Sequence, residues 1–145
     1  MILESTIRLP FSYAAGTVGS RFLIALREDQ KILGARCTSC STVTAPPRPF
    51  CSSCSRTVTE LVEVGPDGTL EAWTNQPGNG VFGLILLDGA DTPIVHRILG
   101  TINPGTVNAE AINMTPGARV TAMFAKDRTG RITDIEGFIV EQDDP

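Results

Sequence analysis

All four cysteines of the chain fall in two pairs, Cys37-Thr-Ser-Cys40 and Cys51-Ser-Ser-Cys54. Two residues between cysteines let a tight turn aim both thiolates at one point, and two such knuckles complete the tetrahedral sulfur shell that zinc favours. The same residues could instead form two redox dithiols, a pair of disulfides or four unrelated buried thiols, and four thiolates can also hold a single iron. The repeated C-x2-C favours one metal with Cys37, Cys40, Cys51 and Cys54 as ligands. A closed shell of four sulfurs leaves no open coordination position, so a zinc there holds structure and does not activate water.

Other sequence signals for chemistry fail on inspection. Gly78-Asn-Gly80-Val-Phe-Gly83 matches a dinucleotide-binding fingerprint, but Gly83-Leu-Ile-Leu-Leu-Asp88 reads as a buried strand where that fingerprint needs a helix. The acid required about twenty positions on is missing, because Asn103 and Pro104 stand there. His96 is the only histidine, and an imidazole with no thiol or serine to activate reads as structural. Trp73, Phe82, Phe124 and Phe138 sit in strand-like segments and read as core. No carboxylate pair stands out. With every thiol committed to metal, the chain lacks a nucleophile and base of its own, and no catalytic residue is assigned.

The elements that must position the cysteines follow from composition and pattern. At 145 residues, 41% hydrophobic and 19% charged, the chain has globular values and the length of one ordinary domain or two small modules. Glu4 and Arg8 interrupt any apolar signal sequence, no stretch has the length of a membrane span, and unoxidised thiols suit a reducing cytoplasm, which is the expected location. The net charge of −4 hides an asymmetry: residues 31–59 carry Lys31, Arg36, Arg48 and Arg56 and no acid, so the remainder holds −8. Those bases either balance the thiolates or form a patch for an anionic ligand.

Ser20 is placed to cap a short helix over 21–29, with Phe22, Leu23 and Leu26 on one face. Ala45-Pro-Pro-Arg-Pro-Phe50 links the knuckles, and its three prolines lower the entropy of the loop that the metal must close. Strands are expected over 57–64, 69–75, 81–87, 92–99, 118–125 and 131–140, with turn signals at Gly65-Pro-Asp-Gly68 and Asp127-Arg-Thr-Gly130. About five closely spaced strands with a long connection before Ala118 suggest a small closed antiparallel barrel of OB-fold type. The expected division is an arm and short helix over 1–30, a zinc ribbon over 31–59 and the barrel over 60–145.

A short helix, a C-x2-C, Pro46-Pro-Arg48, a second C-x2-C and an OB-like barrel together resemble the zinc-ribbon/OB-fold acyl-CoA-associated proteins. Gly34-Ala-Arg-Cys37 followed by Pro46-Pro-Arg48 and Cys51 is the most specific part of the match. The resemblance implies a mainly β fold with a rubredoxin-like ribbon, a structural Zn2+ and a non-catalytic subunit in the cytoplasm. It also implies a partner, a thiolase or an enoyl-CoA-hydratase-like enzyme acting on CoA thioesters. Within the family, similarity is greatest to the small subunits of benzoylsuccinyl-CoA thiolases of anaerobic toluene breakdown. On that basis Lys31, Arg36 and Arg48 are the bases expected to face acyl-CoA, whose phosphates they would meet. One departure is that Ser41 and Ser55 follow the second cysteine of each knuckle, the first at a place where the family often has glycine. Positive φ there would suit serine poorly. The competing classes are a nucleic-acid-binding ribbon and barrel, which wants basic strands that this acidic region lacks, and an iron-containing electron carrier.

Overall fold

The structure, a computed structural model, describes residues 6, 8–10, 12–99 and 114–141. The described residues form one helix, α1 (Gly16–Asp29), and eight strands: β1 (Ile32–Arg36), β2 (Val43–Thr44), β3 (Glu60–Val64), β4 (Asp67–Gln76), β5 (Gly80–Leu87), β6 (Ile94–Leu99), β7 (Arg119–Phe124) and β8 (Ile135–Val140). A 3-10 turn, Ile132–Asp134, leads into β8.

The helix begins a turn before the expected start. Its N-cap is Ala15, with no side-chain cap, and Ser20 lies inside it. Glycine in a helix costs only about 1 kcal/mol relative to alanine, so Gly19 did not stop a helix that buries Phe22, Ala25 and Leu26. It ends where Gln30 turns left-handed, with φ of 55°.

Strands β2, β1 and β3 form the ribbon's sheet, in that order and antiparallel. This corrects the boundary read from the sequence: residues 60–64 pair with β1, Ile32 opposite Val64 and Arg36 opposite Glu60, instead of entering the barrel. Residues 57–59 also lie outside β3, and Thr57 bridges to Phe50 to close the second knuckle. The chain leaves the ribbon at Gly65, whose φ is 66°.

The remaining strands close into a barrel of order β4-β5-β6-β8-β7, with β7 returning to β4. Four seams are antiparallel and one, β6 with β8, is parallel. A closed five-stranded Greek key is the OB arrangement. The former fingerprint glycines belong to the β4–β5 hairpin, where Gly78 and Gly80 take φ of 79° and 99°. Gly83 faces inward, where an added Cβ would lie 2.6 Å from Leu70 Cδ1 and 2.8 Å from Ile98 Cδ1. Phe138, Leu70, Ile85, Leu87, Ile135 and Val120 are almost wholly excluded from water in the barrel's centre.

One continuous apolar cluster joins these parts, running from Phe22 and Leu26 of the helix through Ile32, Val43 and Val64 of the ribbon to the barrel residues. Polar ties reinforce it. The two-residue strand β2 meets the segment before β6: Val43 N–H donates to Asp91 Oδ2 at 2.7 Å and Asp91 N–H to Val43 O at 2.8 Å. The Thr92 hydroxyl accepts from Ala45 N–H at 2.9 Å and donates to Ala45 O at 3.1 Å. At the far end of the helix the Arg128 guanidinium donates to Arg27 O and Ala125 O, tying α1 to the loop after β7.

Candidate metal centre and adjoining cavity

Each knuckle is a tight turn closed by the same two backbone bonds. Ser41 N–H donates to Cys37 O at 2.8 Å and Cys37 N–H to Thr42 O at 2.9 Å. In the second knuckle Ser55 N–H donates to Cys51 O at 3.0 Å and Cys51 N–H to Arg56 O at 2.8 Å. The price of this geometry is positive φ at Ser41 (64°) and Ser55 (59°), the two positions where the sequence departs from glycine or raises the question. Both serines adopt it, because the turn they close gathers the ligands.

The four sulfurs lie within 4.8 Å of one another. Cys37 Sγ is 3.5 Å from Cys54 Sγ, and Cys40 Sγ is 3.5 Å from Cys51 Sγ and 3.8 Å from Cys54 Sγ. A tetrahedron with Zn–S bonds of about 2.3 Å has sulfur–sulfur edges of roughly 3.8 Å. All four cysteines are free of disulfides. The donor set and spacing therefore fit a single tetrahedral ion, and the alternatives of paired disulfides and scattered thiols are set aside. The first cysteine of each knuckle, Cys37 and Cys51, is buried, and the second, Cys40 and Cys54, is exposed.

Without an ion the thiols would compete for protons. The hydroxyl and N–H of Thr42, together with Cys51 and Cys37, pull Cys40 down to about 6. The Arg56 N–H favours the Cys54 thiolate, but the crowding sulfurs of Cys37, Cys51 and Cys40 and partial desolvation beside them outweigh that and push it up to about 11. A divalent ion resolves this conflict by letting all four ligands be thiolates at once.

The three bases expected to face acyl-CoA are separated. Lys31 Nζ lies 2.8 Å from Glu63 Oε2 and Arg36 Nη1 lies 3.6 Å from Glu60 Oε1, both across the β1–β3 seam. The Glu63 contact holds the Lys31 pKa above its usual value. Arg48 is different: it lines a cavity of about 320 Å3 where helix, ribbon and barrel meet, along with Phe22, Ile32, Ile94, His96 and Ile135. That cavity has no motif and was not legible in the sequence.

His96 turns its ring toward the barrel, where it packs edge-on against Phe138 with centroids 5.7 Å apart. Burial holds its pKa below the usual histidine value. Trp73, read from the sequence as core, is instead 37% exposed, and it donates from Nε1 to Met114 O at 2.8 Å. Arg119 is held by Asp88 through bonds of 2.9 and 2.6 Å, so this strand base is neutralised.

Comparison with known proteins bears on the ribbon first. Residues 25–60 match the family described as ChsH2, rubredoxin-like zinc ribbon domain. The matched segment spans the end of α1, both knuckles and the start of β3. Two solved structures share the wider fold. A DUF35-family protein of unknown function from Sulfolobus solfataricus is 19% identical with a TM-score of 0.57, over 86% of this chain and 84% of that one. The Ltp2-ChsH2(DUF35) aldolase is 18% identical with a TM-score of 0.57, over 89% of this chain and 97% of that one. At these identities the likeness to both structures is one of fold. No curated protein matches the sequence. Among the described residues no helix is long and apolar enough to cross a membrane.

Proposed function

We propose that this chain is a non-catalytic, zinc-containing subunit of an acyl-CoA-processing complex in the cytoplasm, partnering a thiolase that cleaves or forms a β-keto thioester. The observation that carries the reading is the sulfur cluster: every cysteine in the chain lies within it, so the thiol that a thiolase needs must come from another polypeptide. The residues fit the zinc, and what a closed S4 zinc supplies is rigidity to the knuckles. The similarity of fold to an Ltp2-ChsH2(DUF35) aldolase supports a carbon–carbon bond-making or bond-breaking partner over a hydratase-like one. Benzoylsuccinyl-CoA is the substrate to which the sequence resemblance points.

The barrel's outer surface suits a partner. Strand β5 is apolar on both sides: Val81, Ile85 and Leu87 point inward, while Phe82, Leu84 and Leu86 are half-buried on the outside beside exposed Val95 of β6. Strands with two apolar faces are found where both are covered.

The test is to purify the native complex, identify the co-eluting subunit and assay both parts. The expected result is a thiolase-like enzyme with its own nucleophilic cysteine, and acyl-CoA turnover by the complex but not by the zinc-loaded chain. Turnover by the chain alone, or its purification without a partner, overturns the proposal.

A further inference from the structure

The four sulfurs do not share one environment. Cys37 and Cys51 are buried, whereas Cys40 and Cys54 are exposed. Cys40 also lines an open cleft of about 430 Å3 whose other walls are rich in hydroxyls, from Thr42, Ser52, Ser53 and Thr92. The Thr42 hydroxyl lies 3.3 Å from Cys40 Sγ and 3.4 Å from the Ser53 hydroxyl, so polar groups surround the sulfur on its open side. The sulfurs close to Cys40 belong to the other knuckle, Cys51 at 3.5 Å and Cys54 at 3.8 Å. Cys51 is buried and is not part of the cleft wall, so the cleft and the nearest sulfur approach Cys40 Sγ from different sides. Thiolates are the nucleophiles that peroxides oxidise, and exposure decides which of them reacts.

We propose that Cys40 is a site of oxidation by hydroperoxides, and that Cys51 resolves it into a disulfide that joins the two knuckles and releases the metal. The Cys40 thiolate attacks one peroxide oxygen: an S–O bond forms, the O–O bond breaks, and the departing oxygen takes a proton from solvent. The Cys51 thiolate then attacks Cys40 Sγ from the buried side: the S–S bond forms, the S–O bond breaks, and hydroxide leaves as water with a second proton. The two sulfurs lose two electrons and the hydroperoxide gains them, giving water and an alcohol, or two waters from hydrogen peroxide. The product differs from the dithiol that C-x2-C forms within itself, because the short contacts of Cys40 run across the knuckles. Cys37 and Cys54 remain, 3.5 Å apart, and two thiolates are too few for a four-sulfur shell. The inference concerns the metal ligands alone and stands whether or not the chain partners a thiolase.

The experiment adds hydrogen peroxide to the zinc-loaded full chain, follows metal release with a chromogenic chelator and maps the cysteines by tandem mass spectrometry after an acid quench. Cleavage after Phe50 separates the knuckles, so a bond between them holds two fragments together and a bond within one does not. The expected result is one metal released per peroxide consumed, a first disulfide between Cys40 and Cys51, and Cys37 and Cys54 still open to alkylation. Reduction with dithiothreitol and added zinc is expected to restore the metal. Ser53→Leu, which fills the cleft without replacing a ligand, is expected to slow release severalfold at unchanged initial zinc content. A metal that stays bound in excess peroxide, a first disulfide between any other pair, or oxidation to sulfinic or sulfonic acid without a disulfide overturns the proposal. So does a Ser53→Leu chain that loads zinc normally and loses it as fast as wild type. The mapping uses the wild-type chain, so it stands even if Ser53→Leu fails to load zinc.

Discussion

Around the knuckles only Ala35, Cys37, Cys51 and Val58 are shielded from water in a cluster of their own, with Leu61 beside them. The barrel gathers Leu70, Ile85, Leu87, Val120, Ile135 and Phe138 at its centre and continues into the helix. A cluster that small, two of whose members are themselves ligands, cannot hold two turns with left-handed serines against chain entropy. The barrel has no such deficit. The knuckles should therefore depend on the ion, and the barrel on burial, and each can be attacked separately.

The largest effect is expected from removing the metal. Structural zinc contributes about 10 to 16 kcal/mol in isolated finger peptides, comparable with the whole stability of a domain at roughly 5 to 15 kcal/mol. Strong chelation, or Cys51→Ser, should unravel residues 37–59 and abolish partner binding while leaving the barrel partly folded. Amide exchange resolved by residue, together with co-purification, checks this. Uniform loss of protection across β4 to β8 would show that the two regions are not separable.

Next in size is the reverse attack. Phe138→Ala removes a ring from the centre of the barrel, where it is fully buried, and should cost about 3 to 5 kcal/mol in denaturant unfolding. Zinc content should remain at one per chain as long as the chain is folded. Gly83→Ala puts a methyl where Leu70 and Ile98 already meet and should cost about 1 to 3 kcal/mol by overpacking.

A smaller, pH-dependent term sits at Asp134. Burial opposes its charge, but the N–H groups of Thr129, Gly130 and Arg131, at 3.0, 2.7 and 3.2 Å, and the Arg128 charge win and hold its pKa below the usual 3.8. A depressed folded-state pKa stabilises the protein above the unfolded value and loses that contribution as pH falls through the folded one. Wild type should therefore lose stability below about pH 4 more steeply than Asp134→Asn, read from unfolding midpoints at several pH values. The smallest effect is expected at Arg119→Ala, whose pair with Asp88 is solvent-exposed; its unfolding midpoint should match wild type within error.

What could be read from sequence divides along the same line. The four-cysteine cluster was legible because each knuckle is local: four residues carry both cysteines and the turn between them. The barrel strands were legible from apolar runs and alternation, as in Val120 and Ala122 of β7. Long-range partnership was not. Nothing local in Glu60–Val64 says that it pairs with β1, some thirty residues back, and that pairing also brings Glu60 and Glu63 to the bases Arg36 and Lys31. The inward turn of His96 and the cavity it lines come from segments on the helix, the ribbon and two stretches of the barrel, so no window of sequence contains them.

The tie between β2 and residues 91–92 has a consequence for how the chain can be divided. A two-residue strand on the outside of a three-stranded sheet would present bare backbone to any passing strand. Here Asp91 and Thr92 occupy that backbone with side-chain and main-chain bonds. An excised ribbon would lose this shield and become sticky along that side even with its ion in place, so fragments cut near Gly65 should self-associate where the intact chain does not.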